Sequence, residues 1–192
     1  MIDTNIQDIP KLQEEIQQKS KEICFTMPSD LFVGSFLKTL ISSKPGGRFL
    51  EIGTGIGLSL SWMIDGMDAY ATLLSIDNDQ ELISIATQYF GEDKRVQLLC
   101  KDAAIWIKEH QEDRFDLIFA DAWPGKYSEI NEVLQMLNVG GFYIIDDMME
   151  QPNWPEGHSD NVTALIAYLE QRKDIQLTKM NWSTGLIMAV KK

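Results

Sequence analysis

The sequence predicts an α/β fold: a mostly parallel sheet with helices on both faces, ending in an antiparallel hairpin. Three observations carry this. From residue 48 onward, five short apolar runs alternate with helical segments, the rhythm of repeated βα units. Most of those runs are continuously apolar rather than alternating, the pattern of strands buried on both faces. The last two runs, "IQLTKMNW" and "GLIMAVKK", are joined only by "STG". That is too short for a parallel crossover, so they pair as a hairpin.

The elements follow in order. Residues 7–24 read as a polar helix with a thin apolar stripe of Ile9, Leu12, Ile16 and Ile23. "TMPSD" breaks it, and Ser29 or Asp30 can cap the next helix, "LFVGSFLKTLIS", which "KPGG" ends. "RFLEIG" is the first strand, followed by a Gly-rich turn and a helix around 57–67. "ATLLSID" is the second strand, and "QELISIATQYFG" a helix closed by Gly91. "RVQLLCKD" and "AAIWIKEH" form the third strand and its helix. "FDLIFAD" is the fourth strand, and "KYSEINEVLQMLNVGG" reads as a helix stopped by its Gly pair. "FYIIDD" is the fifth strand. A long loop then leads to the helix "NVTALIAYLEQR" and the hairpin.

A chain of 192 residues suffices for one domain with a sizeable core. We expect a single domain over 1–192, with helices in 1–45 that cover the cleft or form a homodimer contact. The net charge of -12 repels phosphate backbones and argues against nucleic acid as a partner. No run of about 18 apolar residues exists to span a membrane. The start "MIDTNIQDIPKLQEEIQQ" lacks the basic and apolar parts of a signal peptide. The two cysteines, Cys24 and Cys100, lie far apart and outside any metal-binding spacing. Together these features point to the cytoplasm.

Chemistry concentrates at the carboxyl ends of the strands, where open α/β sheets bind ligands. Each end bears a carboxylate: Glu51, Asp77, Asp102, Asp121 and the pair Asp146–Asp147. "LEIGTGIGLS" reads E-x-G-x-G-x-G, with Gly53, Gly55 and Gly57. Such glycines let a ligand approach the backbone. A dinucleotide loop would need glycine at position 58, which is Leu. Glu51 would also repel a pyrophosphate, so a ligand carrying both an ammonium and a carboxylate fits better. Asp77 can accept hydrogen bonds from both hydroxyls of a ribose; the competing reading is a helix cap by Asp77 or Asp79. Asp102 can contact an adenine amino group and the Ala103 backbone its ring, with capping again the alternative.

At this point the chain resembles the class I S-adenosylmethionine-dependent methyltransferases, and within them the small catechol and caffeoyl-CoA type O-methyltransferases. The resemblance is carried by "FLEIGTGIGLS", "LLSID", "KDA", "FADAWPGKY" and "GGFYIIDD". It implies a Rossmann-like methyltransferase fold with sheet order 3-2-1-4-5-7-6. It places S-adenosyl-L-methionine on Glu51, Gly53, Thr54, Gly55, Gly57 and Ser59, the ribose on Asp77 and Asn78, and the adenine near Asp102, Ala103 and Trp123, with Asp121 close by. It also implies a divalent cation, Mg²⁺ by its preference for hard oxygen ligands, on Asp121, Asp146 and Asp147. The cation would lower the pKa of an acceptor hydroxyl.

Two positions depart from the pattern. Asp147 stands where the family usually has Asn. Pro124 stands where it tends to have a catalytic Lys three residues after the first metal aspartate. Lys126, two residues further on, is the candidate to reach in beside Asp121 and Asp146 as a catalytic group. The competing reading is an ordinary surface lysine.

The segment "MMEQPNWPEGHSD" is expected to face the acceptor, with Met148, Met149 and Trp154 as an apolar lining and His158 as a base. The alternatives are edge packing for the Met and Trp residues and an exposed loop histidine. The expected activity is methyl transfer to a small-molecule hydroxyl. Its rivals are hydride transfer, an aminopropyl-transferase-like reaction, and S-adenosylmethionine binding without catalysis.

Overall fold

The computed structural model describes residues 2–151 and 154–192. Its seven strands, counted in chain order, stand in the sheet order 3-2-1-4-5-7-6, as the resemblance implied. The chain divides into two compact units, Met1–Asp102 and Ala103–Lys192.

The first unit comprises α1 (Gln13–Glu22), α2 (Leu31–Ser42), β1 (Arg48–Ile52), α3 (Leu58–Gly66), β2 (Thr72–Asp77), α4 (Gln80–Phe90) and β3 (Val96–Cys100). β2 pairs in parallel with β1 on one side and β3 on the other. Phe49, Leu50 and Ile52 of β1 are wholly buried, and each such side chain contributes about 1.5–3 kcal/mol to the core. Asp30, one of the two expected caps, accepts the Val33 N–H at 2.9 Å and starts α2. The first helix is shorter than its pattern. Asp8 adopts φ 54, incompatible with an α-helix, and the chain turns once more at Pro10, whose carbonyl accepts from Gln13 N–H, before α1 begins.

The second unit comprises α5 (Ala103–Glu109), β4 (Phe115–Ala120), α6 (Ile130–Gln135), β5 (Leu137–Ile145), α7 (His158–Gln171), β6 (Ile175–Met180) and β7 (Leu186–Lys191). β4 and β5 are parallel, while β7 lies antiparallel to both β5 and β6. Five of the six β4 residues are buried, all but Asp116, the one polar residue in the run.

One expectation fails here. The Gly140–Gly141 pair does not stop a long helix. α6 ends at Gln135, and β5 has already begun at Leu137. Leu137 pairs with Phe115 and Phe142 with Leu117, so the glycines sit in a bulge of the β4–β5 ladder. A Cβ on Gly141 would lie 2.8 Å from the Asn138 carbonyl oxygen and 3.2 Å from that of Phe115. Close backbone approach, not helix termination, explains the residue.

Candidate active site

The first unit carries the glycine turn. Gly53 N–H donates to the Ile76 carbonyl at 2.9 Å and Gly57 N–H to the Thr54 carbonyl at 3.0 Å, folding the turn onto the end of β2. Gly57 precedes α3 with φ 96, which L side chains rarely adopt, and a Cβ there would lie 2.8 Å from the Phe90 ring. Asp77, at the end of β2, accepts the Gly55 N–H on Oδ2 at 2.9 Å and the Asp79 N–H on Oδ1 at 3.0 Å. Asp79, not Asp77, caps α4, through the N–H groups of Glu81 and Leu82. The capping alternative for Asp77 is thereby removed. Asp77 remains half-buried, with lone pairs to spare.

Glu51 is wholly buried. Its Oε1 accepts from the Ser59 hydroxyl at 2.6 Å and its Oε2 from the Ser75 hydroxyl, which also pairs with the Thr54 hydroxyl at 2.6 Å. Burial drives its pKa up to about 7, opposed by the two serine hydrogen bonds and helped by the Asp77 charge. Asn78 and Asp102 are exposed, and Asp102 immediately precedes α5. No local pattern marked Phe25. Its ring lies 3.1 Å from where a Cβ on Gly55 would stand, beside a cavity of about 480 Å³ lined in part by Ser20, Cys24, Asp30, Leu31 and Leu58.

Ala103, Asp121, Trp123, Lys126, Asp146 and Asp147 belong to the second unit. Residues 123–128 close on themselves: Tyr127 N–H donates to the Trp123 carbonyl at 2.9 Å and Gly125 N–H to the Ser128 carbonyl at 2.8 Å. From β5 the buried Tyr143 hydroxyl donates to the Gly125 carbonyl. That anchored loop turns Lys126 inward. Lys126 is only 4% exposed, which overturns the reading of a surface lysine. Its Nζ stands 5.2 Å from the centre of the Tyr127 ring.

Asp146 is 2% exposed. Its Oδ1 accepts the Asp147 N–H at 2.7 Å and the Thr184 hydroxyl. Burial raises its pKa to about 6. The Thr184 bond and the Lys126 charge pull it down, and the Asp147 charge pushes it up. Asp147 itself adopts φ 55, a left-handed conformation that Asp and Asn tolerate better than most residues. Beyond it, Met148 and Met149 donate their N–H groups to the carbonyls of Gly185 and Thr184 at 3.0 and 2.9 Å. The "STG" turn is thus part of the site, a role its residues did not announce.

An aromatic group completes this unit. The Tyr127 hydroxyl and His158 Nε2 are 2.9 Å apart, with the two rings edge to face at 5.2 Å. Trp123 packs on Tyr127 at 4.8 Å and Trp154 on His158 at 4.5 Å. His158 is half-buried as the first residue of α7 rather than lying in an exposed loop. Burial, helped by Lys126 and opposed by Asp147, holds its pKa below the ordinary value. Burial, then the Asp147 and Asp121 charges, raises the pKa of Tyr127. Met148 is buried and Met149 exposed. Positions 152 and 153 of the expected acceptor-facing segment lie outside the described residues.

The expected cation set fares differently. Asp121 and Asp147 both act on the Tyr127 phenol, so they share a neighbourhood. Yet among the described residues no group of three His, Cys, Asp or Glu side chains stands together as a metal-holding cluster.

The strand order and the glycine turn define a protein of the fold that S-adenosylmethionine-dependent methyltransferases use. Among solved structures, the chain is similar to the O-methyltransferase from Bacillus cereus in complex with S-adenosylhomocysteine. The two share 19% identity and a TM-score of 0.85, over 98% of this chain and 94% of that one. It is also similar to the methyltransferase PaMTH1 of Podospora anserina, bound to the same ligand, at 22% identity and a TM-score of 0.83 over 99% and 92% of the two chains. A family model described as O-methyltransferase matches residues 3–185. The chain belongs to that family. Relatives from Mycobacterium ulcerans and Mycobacterium marinum, each named "Putative O-methyltransferase", are 30% identical over 118 residues, 59% of this chain. The match spans about half the length of these curated relatives, 53%.

Proposed function

We propose that the protein transfers a methyl group from S-adenosyl-L-methionine to a hydroxyl oxygen of a small molecule. The observation that carries this reading is the glycine turn braced on Asp77, with the buried Glu51 held behind it by Ser59 and Ser75. When bound, the cofactor supplies a sulfonium methyl for displacement by the acceptor oxygen.

The chain's own residues do the rest. Gly53, Thr54, Gly55 and Gly57 let the amino-acid end of the ligand lie against backbone. Ser59 and Glu51 meet its ammonium. Asp77 keeps lone pairs for a ribose diol, with Asn78 beside it. Asp102, Ala103 and Trp123 are assigned to the adenine. In the second unit, Tyr127 keeps its proton and donates to a neutral His158. Asp121, half-buried near that phenol, is the group assigned to take the acceptor's proton. Asp146 is spoken for by Thr184 and the Asp147 N–H and acts as a positioning group. The unjoined, exposed thiols of Cys24 and Cys100 support a reducing, cytoplasmic setting. Among the described residues no helix is long and apolar enough to cross a membrane.

The test is calorimetric titration with S-adenosylmethionine, S-adenosylhomocysteine and NAD, followed by labelled-methyl transfer to a panel of phenolic and carboxylate acceptors. The sulfur ligands should bind and NAD should not. Absence of binding by either sulfur ligand up to about 1 mM, where binding is worth only ~4 kcal/mol, would end this reading.

A further inference from the structure

We propose that Phe25 is a positioning residue of the cofactor pocket: its ring, resting on Gly55, holds the glycine turn in the shape that receives the amino-acid end of S-adenosylmethionine. The inference rests on the methyl-transfer reading and adds a residue to it.

The place of Phe25 is set by the end of α1. Cys24 N–H donates to the Lys21 carbonyl at 3.2 Å and Phe25 N–H to the Ser20 carbonyl at 2.9 Å, while Cys24 adopts φ 54. These two bonds around a left-handed residue form a Schellman ending, whose left-handed position usually belongs to glycine. A cysteine there holds a backbone conformation uncommon for any residue with a side chain. The turn delivers the chain directly into Phe25. At the far end of the linker, Asp30 caps α2 through the Val33 N–H at 2.9 Å. The linker is thus pinned at both ends, and the half-buried Phe25 ring has a fixed footing.

The ring meets the glycine turn. Its Cζ lies 3.1 Å, and its Cε1 3.6 Å, from where a Cβ on Gly55 would stand. It covers the side of Gly55 that any other residue would fill with its own side chain. Gly55 is held a second time through its N–H, which donates to Asp77 Oδ2 at 2.9 Å. Glycine has the greatest backbone freedom of any residue, and ordering such a turn on binding lowers affinity unless the shape exists beforehand. Asp77 and Phe25 supply that shape from two directions. The same ring borders the cavity of about 480 Å³, which Leu58 at the start of α3 also lines. Without the ring, Gly55 would be uncovered and the turn would lose its apolar brace.

The test compares two ligands by calorimetry on the whole chain, after circular dichroism has checked each variant's folding. One is S-adenosylhomocysteine. The other is 5′-methylthioadenosine, which keeps the adenosine and the sulfur but lacks the amino-acid end. Phe25→Ala should weaken S-adenosylhomocysteine about tenfold or more and leave 5′-methylthioadenosine within about twofold. Phe25→Leu, which keeps an apolar side chain over Gly55, should retain most of the affinity. Cys24→Val keeps the ring but puts a β-branched residue at a left-handed position. It should repeat the selective loss, while Cys24→Gly, suited to that conformation, should bind both ligands as the natural chain does. Unchanged affinity of Phe25→Ala for S-adenosylhomocysteine would overturn the proposal. So would an equal loss for both ligands, the mark of a general structural role. If Phe25→Ala does not fold, the two Cys24 variants decide: a loss confined to S-adenosylhomocysteine in Cys24→Val supports the proposal, and equal behaviour of the pair overturns it. A natural chain that binds S-adenosylhomocysteine no better than 5′-methylthioadenosine would overturn it too. A natural chain that binds neither would instead defeat the methyl-transfer reading itself.

Discussion

Thr184, in the turn before β7, donates its hydroxyl to Oδ1 of Asp146 at the end of β5, 38 residues earlier in the chain. A single contact thereby joins the hairpin turn to the most deeply buried acid of the second unit. A hydrogen bond to a charged group contributes about 1.5–3 kcal/mol. Thr184→Val should lower stability by about that amount in urea unfolding near pH 7.5, where Asp146 is ionised, and Thr184→Ser should restore most of it. Equal midpoints for the natural chain and the Val variant would show that the bond contributes nothing.

Gly185 follows directly, with φ 85. A Cβ there would lie 2.5 Å from the Met149 Cγ and 2.6 Å from its backbone nitrogen. Neither the conformation nor the space admits a side chain. Gly185→Ala should cost on the order of 1–3 kcal/mol in chemical denaturation. A midpoint within experimental error of the natural chain would contradict the tight Met149 contact.

Glu51 gives a pH signature. Its pKa rises from 4.5 to about 7 on folding. Below pH 4.5 the carboxyl is neutral both folded and unfolded, and its burial carries no electrostatic penalty. Between 4.5 and about 7 the unfolded chain gives up this proton while the folded chain keeps it, so stability falls as pH rises, and the loss is complete above about 7. The full effect is roughly 3 kcal/mol. Asp146, raised from 3.8 to about 6, pushes in the same direction over a lower window. Comparing the natural chain with Glu51→Gln isolates the first contribution. The variant should show the shallower decline between pH 4.5 and 7, and parallel curves would mean that Glu51 ionises normally.

Asp77→Ala removes the acceptor of the Gly55 N–H and the carboxylate assigned to the ribose. Affinity for S-adenosylhomocysteine should fall by about tenfold or more, the worth of one good hydrogen bond at ~1.4 kcal/mol. Calorimetry reads this directly, and unchanged affinity would remove Asp77 from the cofactor site.

Tyr127→Phe removes the hydroxyl partner of His158 Nε2. Stability should drop by about 0.5–1.5 kcal/mol. The His158 pKa, followed by NMR of the ring protons, should change from its value in the natural chain. An unmoved His158 titration would mean that the 2.9 Å contact carries no energy.

Much of the fold was legible because local chemistry decided it. Continuous apolar runs marked β1, β2, β4 and β5. Asp30 was readable as a cap, and the E-x-G-x-G-x-G run marked the turn after β1. The misreadings share a cause. Gly140–Gly141 resembles a helix stop along the chain, and only the pairing of Leu137 with Phe115 reveals a bulge. Lys126 looked like a surface lysine because its depth is set by Gly125 and by Tyr143, a residue on another strand. Thr184 passed as a turn residue because its partner is remote in sequence. In each case the deciding neighbour lies outside the window a local pattern can see.

The two backbone hydrogen bonds that tie Met148 and Met149 to the turn before β7 have a consequence for variation. The chain that leaves Met149 starts from a fixed origin, and α7 begins anew at His158 with its own contacts to Tyr127 and Trp154. Between these points Trp154 is itself held, its ring packed on His158 and its backbone N–H on the Gln151 carbonyl, so any exchange of this stretch must preserve that indole.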